Sequence, residues 1–137
     1  MIIGSIKNGM VIDHITAGRS TELYDLLGLE KAECEVALIR NAVSEKMGRK
    51  DIIKIDGAIE LNWDVIGYLA PACTVNIIRE GESVEKRRIK LAEQLTNVIF
   101  CRNPRCITTI EQELPHVFKL ADEKKGLYRC IYCESKA

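Results

Sequence analysis

Four of the six cysteines fall within the last 37 residues as two short pairs, Cys101 and Cys106 with four residues between them, then Cys130 and Cys133 with two. Each pair lets neighbouring thiolates converge from one tight turn. The 23 residues between the pairs suit a small hairpin that brings the two turns together. Both pairs sit in turn-forming sequence, Cys101-Arg-Asn-Pro-Arg-Cys106 and Cys130-Ile-Tyr-Cys133. One tetrahedral metal ion satisfies this spacing, and the default is a structural Zn2+, one per chain. Iron held by the same four thiolates and a redox dithiol are the competing readings. A catalytic zinc fits less well, since four thiolates leave no open coordination position. A disulfide framework also fits poorly. Met1-Ile-Ile-Gly-Ser-Ile leads into patterned sequence without the charged start, apolar run and cleavage site of a secretory signal, which predicts a cytoplasmic chain.

At 137 residues the chain can bury one ordinary core, or a modest core plus a satellite that needs a staple. Residues 98–137 form such a satellite. Metal binding supplies roughly 10–16 kcal/mol to units of zinc-finger size, so this segment is expected to unfold without metal. Twenty basic residues balance twenty acidic ones. That balance argues against general nucleic-acid binding, which shows a basic excess where phosphates are contacted. No apolar stretch approaches the roughly 20 residues a membrane span needs. Cys34 and Cys73 lie in strand-like apolar runs and read as buried small hydrophobes.

Residues 1–90 alternate strands and helices. Met10 to Ile15 reads as a strand, and Leu23, Leu26 and Leu27 mark a helix over 20–27 that ends at Gly28. Cys34 to Ile39 and Asp51 to Ile55 are two more strands, joined by a loop containing Gly48. A short helix follows with Asn62 as N-cap, Leu61 and Ile66 as a hydrophobic staple, and Pro71 as its stop. Cys73 to Ile78 reads as the last strand. The order βαββαβ predicts an α+β fold: a ferredoxin-like sandwich with a four-stranded antiparallel sheet and both helices on one face, followed by a small zinc-bound β domain. The predicted divisions are 1–90, a linker at 91–97, and 98–137.

The other face of that sheet is free to bind. In Lys50 to Asp56, strand alternation puts Lys50, Lys54 and Asp56 on one side and Ile53 and Ile55 on the other. Two ammonium groups and a carboxylate on one face could hold phosphates and a ribose; a solvated face is the plainer reading. Glu85 to Lys90 brings four further positive charges and reads as a polar linker. Asp13 and His14 read as a local hydrogen-bonded pair, with no nucleophile nearby in sequence. The front of the chain therefore looks like an anion-binding module and not an enzyme, without a glycine-rich phosphate loop.

Val11-Ile-Asp-His-Ile15, Met47-Gly-Arg-Lys-Asp-Ile-Ile-Lys-Ile55, Ala70-Pro-Ala-Cys-Thr-Val-Asn76 and the four-cysteine tail, in that order, resemble the regulatory chains of aspartate carbamoyltransferase. The resemblance covers nearly the whole chain. It implies a non-catalytic subunit with an N-terminal allosteric nucleotide domain and a C-terminal zinc domain that docks on the catalytic chain. Regulatory dimers, paired through their allosteric domains, bridge catalytic trimers in that family. ATP typically activates and CTP, in some members with UTP, inhibits the first committed step of pyrimidine synthesis.

By motif, the resemblance implies Asp13 and Lys54 at the ribose, and Lys86 with His14 and Lys50 at the triphosphate. Backbone carbonyls near Ile6 and Gly81 would read the exocyclic amine, Asp56 would lie beside base and ribose, and Asn76 would close the last strand. Glu85 stands where the family commonly has glycine, and a carboxylate there repels phosphate unless it turns outward. Asp13 and His14 should point to opposite sides of a regular strand, so only a bend or twist lets both reach one ligand. A zinc-ribbon adaptor binding nucleic acid and an iron-based electron carrier are the alternative functions.

Overall fold

A computed structural model of the chain describes residues 6–137. The chain divides into two compact units, 1–90 and 91–137. In the first, β1 (Gly9–Thr16), α1 (Ser20–Leu26), β2 (Glu35–Ser44), β3 (Gly48–Asp56), α2 (Trp63–Leu69) and β4 (Thr74–Arg79) follow the βαββαβ order, and β5 (Glu82–Arg88) is added after them. All pairings in the sheet are antiparallel and its order is β2-β3-β1-β4-β5. The first four strands thus make the ferredoxin-like sheet.

The fifth strand corrects the reading of Glu85 to Lys90 as a polar linker, since 85–88 belong to it, and of Cys73 to Ile78 as the last strand. Arg79 pairs with Glu82 across a two-residue turn, Glu80-Gly81, whose φ angles are both positive, at 51° and 81°. That is the backbone requirement of the tight hairpin turn whose twist matches its strands. All seven residues of β5 are exposed, so no apolar alternation announces the strand. Its backbone bonds to β4, not burial, make it.

One face of the sheet is core. Ile12, Ile15, Ile53, Ile55 and Val75 are fully buried there, with Leu23 of α1 and Ile66 of α2. Helix α1 packs against α2 and against β2 and β3. Asn62 caps α2 by accepting bonds from the amides of Asp64 at 3.1 Å and Val65 at 3.4 Å. The left-handed turn after α1 is made by Gly28, φ 67°. Cys34 and Cys73 each sit one residue before a strand. Cys73 is buried, but Cys34 is half-buried, so the expectation of a buried small hydrophobe holds for Cys73 only.

The second unit has a three-stranded antiparallel sheet, β6 (Gln94–Thr96), β7 (Val117–Asp122) and β8 (Leu127–Cys130), in the order β6-β7-β8, with a short helix α3 (Ile107–Ile110). The stretch read as a linker, 91–97, supplies β6. Leu95, fully buried, pairs with Phe118. Phe118 and Tyr128 complete a small core, and the Tyr128 hydroxyl donates to the Ala92 carbonyl at 2.6 Å. No helix among the described residues is long and apolar enough to cross a membrane.

Candidate functional site: a cysteine centre and a polar sheet face

The four tail cysteines converge. Cys101 Sγ lies 3.6 Å from Cys133 Sγ and Cys106 Sγ lies 3.7 Å from Cys130 Sγ, and all four sulfurs fall within 4.8 Å of one another. With metal–sulfur bonds of about 2.3 Å, the edge of a regular tetrahedron of sulfurs is about 3.8 Å, so the cage fits one tetrahedral ion. The turn before α3 presents Cys101 and Cys106, and the end of β8 presents Cys130 and Cys133. Around them, the hydroxyl of buried Thr108 sits 3.0 Å from Cys106 Sγ and that of Ser135 sits 3.3 Å from Cys133 Sγ. His116 Nδ1 accepts from the Cys101 amide at 3.0 Å, and its ring meets Phe100 edge-on with centroids 5.0 Å apart. These bonds fix the turn that aims Cys101.

The environment splits the thiols. Burial pushes Cys101 up to about 12 and also raises Cys130. Hydrogen bonding to Ser135 draws Cys133 down to about 6, and bonding to Thr108 lowers Cys106. Four thiolates this close repel one another unless a cation takes the place of the protons.

In the first unit, cross-strand register draws a row over the sheet face opposite the helices. Lys54 pairs with Val11, Val11 with Asn76, and Asn76 with Lys86. Directly opposite residues in antiparallel strands share a face, so Lys54, Asn76 and Lys86 project together. The next row runs Asp13, Thr74, Arg88. Lys50 joins it by an ion pair, its Nζ 3.0 Å from Asp13 Oδ1, with both side chains partly exposed. Burial pushes the Asp13 carboxyl up, but hydrogen bonds from Lys50 and the His14 amide outweigh it and hold the carboxyl below its ordinary value. Asp56, half-buried, lies at the other end of β3.

A β-bulge settles how Asp13 and His14 can act together. Register slips between Ile12 and Ile15, so two β1 residues oppose one of β3, and His14 takes φ 59°. Its Nδ1 then lies 3.0 Å from the hydroxyl of Thr74, the cross-strand partner of Asp13. The imidazole therefore bonds Thr74, and what Asp13 accepts from His14 is its backbone amide, at 2.6 Å. The expected local pair is not a side-chain dyad.

Glu85 turns away. It pairs with Ile77 and not with the row of Lys86, and it is tied to Arg87 at 2.8 Å, whose guanidinium lies 5.2 Å from the Trp63 ring centre. At the far end, the Gly81 amide donates to the Lys7 carbonyl at 2.9 Å and the Glu80 amide to Asn8 Oδ1 at 3.3 Å, which brings the Gly81 turn beside the start of β1. A cavity of about 380 Å³ opens nearby, lined by Gly9, Met10, Ile59, Ile77, Ile78 and Arg79 among others.

Comparison with known proteins gives two family matches in tandem. Residues 1–90 match the aspartate carbamoyltransferase regulatory chain, allosteric domain, and residues 93–137 match its metal binding domain. The regulatory chain of Clostridium acetobutylicum is 49% identical over 134 residues, covering 98% of this chain and 92% of that one. That of Clostridium botulinum is 48% identical with the same coverage, and that of Bifidobacterium longum is 42% identical over 137 residues, covering 100% and 99%. The chain belongs to the family of aspartate carbamoyltransferase regulatory chains.

As a regulatory chain it is a non-catalytic subunit with an allosteric and a metal-binding domain, and membership implies a catalytic chain as partner. Three residues on the allosteric domain escaped the sequence reading. Thr74 orients His14, Arg88 adds a cation to the Asp13 row, and Asp51 is fully buried on the opposite side of β3 from Lys50. Alternation in Glu82–Arg88 carries the signal for Arg88 once the segment is known to be a strand. The lone acidic residue in line with Ile53 and Ile55 carries it for Asp51.

Proposed function

We propose that the allosteric domain of this chain binds ATP and CTP, and UTP alongside CTP, on the sheet face opposite its helices. Asp13 and Lys54 hold the ribose, Lys86 with His14 and Lys50 neutralises the triphosphate, and Asp56 and Asn76 border the nucleoside end. Carbonyls near Ile6 and Gly81 read the exocyclic amine that adenine and cytosine share, which makes the two nucleotides competitors. The supporting observation is the cross-strand register that lines Lys54, Asn76 and Lys86 in one row, with the Asp13–Lys50 pair beside it. A triphosphate needs several cations at once, and charge-assisted bonds to phosphate are about twice as strong as neutral ones. The outward turn of Glu85 removes the charge that would oppose it.

The ion at the cysteine centre is a structural Zn2+ in this reading, since four sulfur ligands close the coordination sphere. It holds a rigid surface at Arg102 to Arg105 and Glu111 to His116 that docks on catalytic trimers of aspartate carbamoyltransferase. A second copy of the chain pairs through the N-terminal domain. Of the two edge strands, β5 is wholly exposed and carries five charged residues of seven, whereas β2 offers Val36, Leu38 and Ile39 half-buried and Val43 76% exposed, which favours β2 as the pairing edge. The assembly acts in cytoplasmic pyrimidine synthesis. Nucleotides that prefer one quaternary state shift the whole equilibrium, with a coupling of about 1–3 kcal/mol between sites. Reconstitution with catalytic trimers tests this: ATP and CTP should change the rate at subsaturating aspartate in opposite directions, and a rate indifferent to both would overturn it.

A further inference from the structure

We infer that Asp51 is the positioning residue of the phosphate-binding end of the sheet face, locking the two bulges that flank β3 into one unit. Its carboxylate is fully buried and accepts four bonds. Oδ2 takes the Gly18 amide at 2.9 Å, the Ser20 amide at 3.2 Å and the Ser20 hydroxyl at 2.6 Å; Oδ1 takes the Asn41 amide at 2.8 Å. A carboxylate bonded, among the described residues, to backbone amides and a hydroxyl and not to a cation is costly to bury unless it organises its donors.

One of its donors, Asn41, belongs to the β2 bulge, and the others, Gly18 and Ser20, lie in the turn that follows the bulged strand β1. On one side of β3, β1 carries an extra residue at Asp13-His14 and regains register where Ile15 meets Asp51. The Gly18 to Ser20 segment that follows is drawn back over β3 by Oδ2, which keeps Ile15 and Thr16 in register with Asp51 and Lys50 and so leaves the extra residue where His14 is. On the other side, β2 slips between Ile39 and Ala42, and Asn41 takes φ 62°. The amide such a bulge leaves out of the ladder is the one Oδ1 accepts. Positive φ is uncommon outside glycine, and His and Asn are among the residues that tolerate it best, so these two positions suit the bulges that their surroundings hold.

Asp51 also follows Lys50 in the chain. Lys50 meets Asp13 on the binding face while Asp51 holds the segment behind it, so the geometry of Lys50, Asp13 and His14 depends on a group that no ligand touches. Through Oδ1 the edge strand β2 depends on the same group.

This inference rests on the nucleotide reading only for its second test. The first needs no ligand: in the metal-loaded full-length chain, Asp51→Asn and the milder Ser20→Ala should shift the His14 imidazole and Asn41 amide NMR resonances. Unchanged resonances for His14 in both folded variants would overturn the inference, even in a chain that binds no nucleotide. The second test compares ATP with AMP. The variants should lose at least fivefold in affinity for ATP and a clearly smaller factor for AMP, because His14 and Lys50 serve the distal phosphates that AMP lacks, whereas Asp13 serves the ribose that both share. Equal losses for both ligands would mark Asp51 as a residue of general stability and overturn its positioning role. A wild-type chain with no affinity for ATP would remove the nucleotide reading and leave the inference to the ligand-free spectra, whereas Ser20→Ala, which keeps the carboxylate and two of its Oδ2 donors, guards against loss of folding.

Discussion

Asp13 and His14 reach the same side of β1 because the strand spends an extra residue on them, and only coordinates reveal such an irregularity. The sequence shows Val-Ile-Asp-His-Ile, whose alternation sends the two polar residues apart. Asp51, which accepts from the turn after β1, lies 37 positions after His14, and single-strand patterning does not connect them. The cysteines are the opposite case: ligand spacing is local, so Cys101, Cys106, Cys130 and Cys133 were legible at once. Asp51 also carries a pH signature. Burial raises its pKa, but bonds from the Ser20 hydroxyl and the amides of Asn41, Ser20 and Gly18 outweigh that and lower it from the ordinary 3.8. A depressed folded-state pKa means stabilisation that is present above about pH 4 and fades as pH falls through the lowered value. Thermal unfolding at pH 6 and pH 3, followed through the NMR signals of Ile12, Ile53 and Val75 in the first unit, should show a larger fall in Tm for wild type than for Asp51→Asn, which starts lower at pH 6. Parallel falls would show that the carboxylate is not an important acid-sensitive group.

Helix α2 and strand β5 mark the two limits of legibility among the elements. Asn62, Leu61, Ile66 and Pro71 announce α2 through local chemistry, and the structure returns the cap as drawn. Replacing Asn62 with alanine leaves the amides of Asp64 and Val65 without their side-chain acceptor and should cost about 1 kcal/mol in denaturant unfolding of the allosteric domain. No change beyond about 0.3 kcal/mol would mean that water replaces the cap freely. Strand β5 has no apolar residue to bury except Val84, itself exposed, so the hydrophobic period that identifies strands is missing. What defines it is a two-residue turn with two positive φ angles, one of them at Glu80, an unfavoured residue for that conformation. The same misreading hid Arg88 and left the orientation of Glu85 open. Likewise β6 is three residues long with one buried side chain, Leu95, too short to show alternation.

At the scale of the whole molecule, a domain with its own core is followed by a metal-binding domain with a small one. Residues 1–90 bury apolar side chains from four strands and two helices, whereas 91–137 bury few beyond Leu95, Val117, Phe118 and Tyr128 besides the cysteines. Removing the metal with a chelator should therefore unfold the second unit alone: NMR signals of Leu95, Phe118 and Tyr128 collapse to random-coil positions while those of Ile12, Ile53 and Val75 stay dispersed. Dispersed signals from both sets after complete metal removal would show that the small core suffices. Nucleotide sensing on the open sheet face is tested by calorimetric titration of the metal-loaded chain with ATP and with CTP, repeated on Lys54→Ala. Both nucleotides should bind saturably and compete with each other, and the variant should lose about tenfold or more in affinity, the worth of one charge-assisted bond. Absence of heat from either nucleotide, or affinities unchanged in Lys54→Ala, would contradict it.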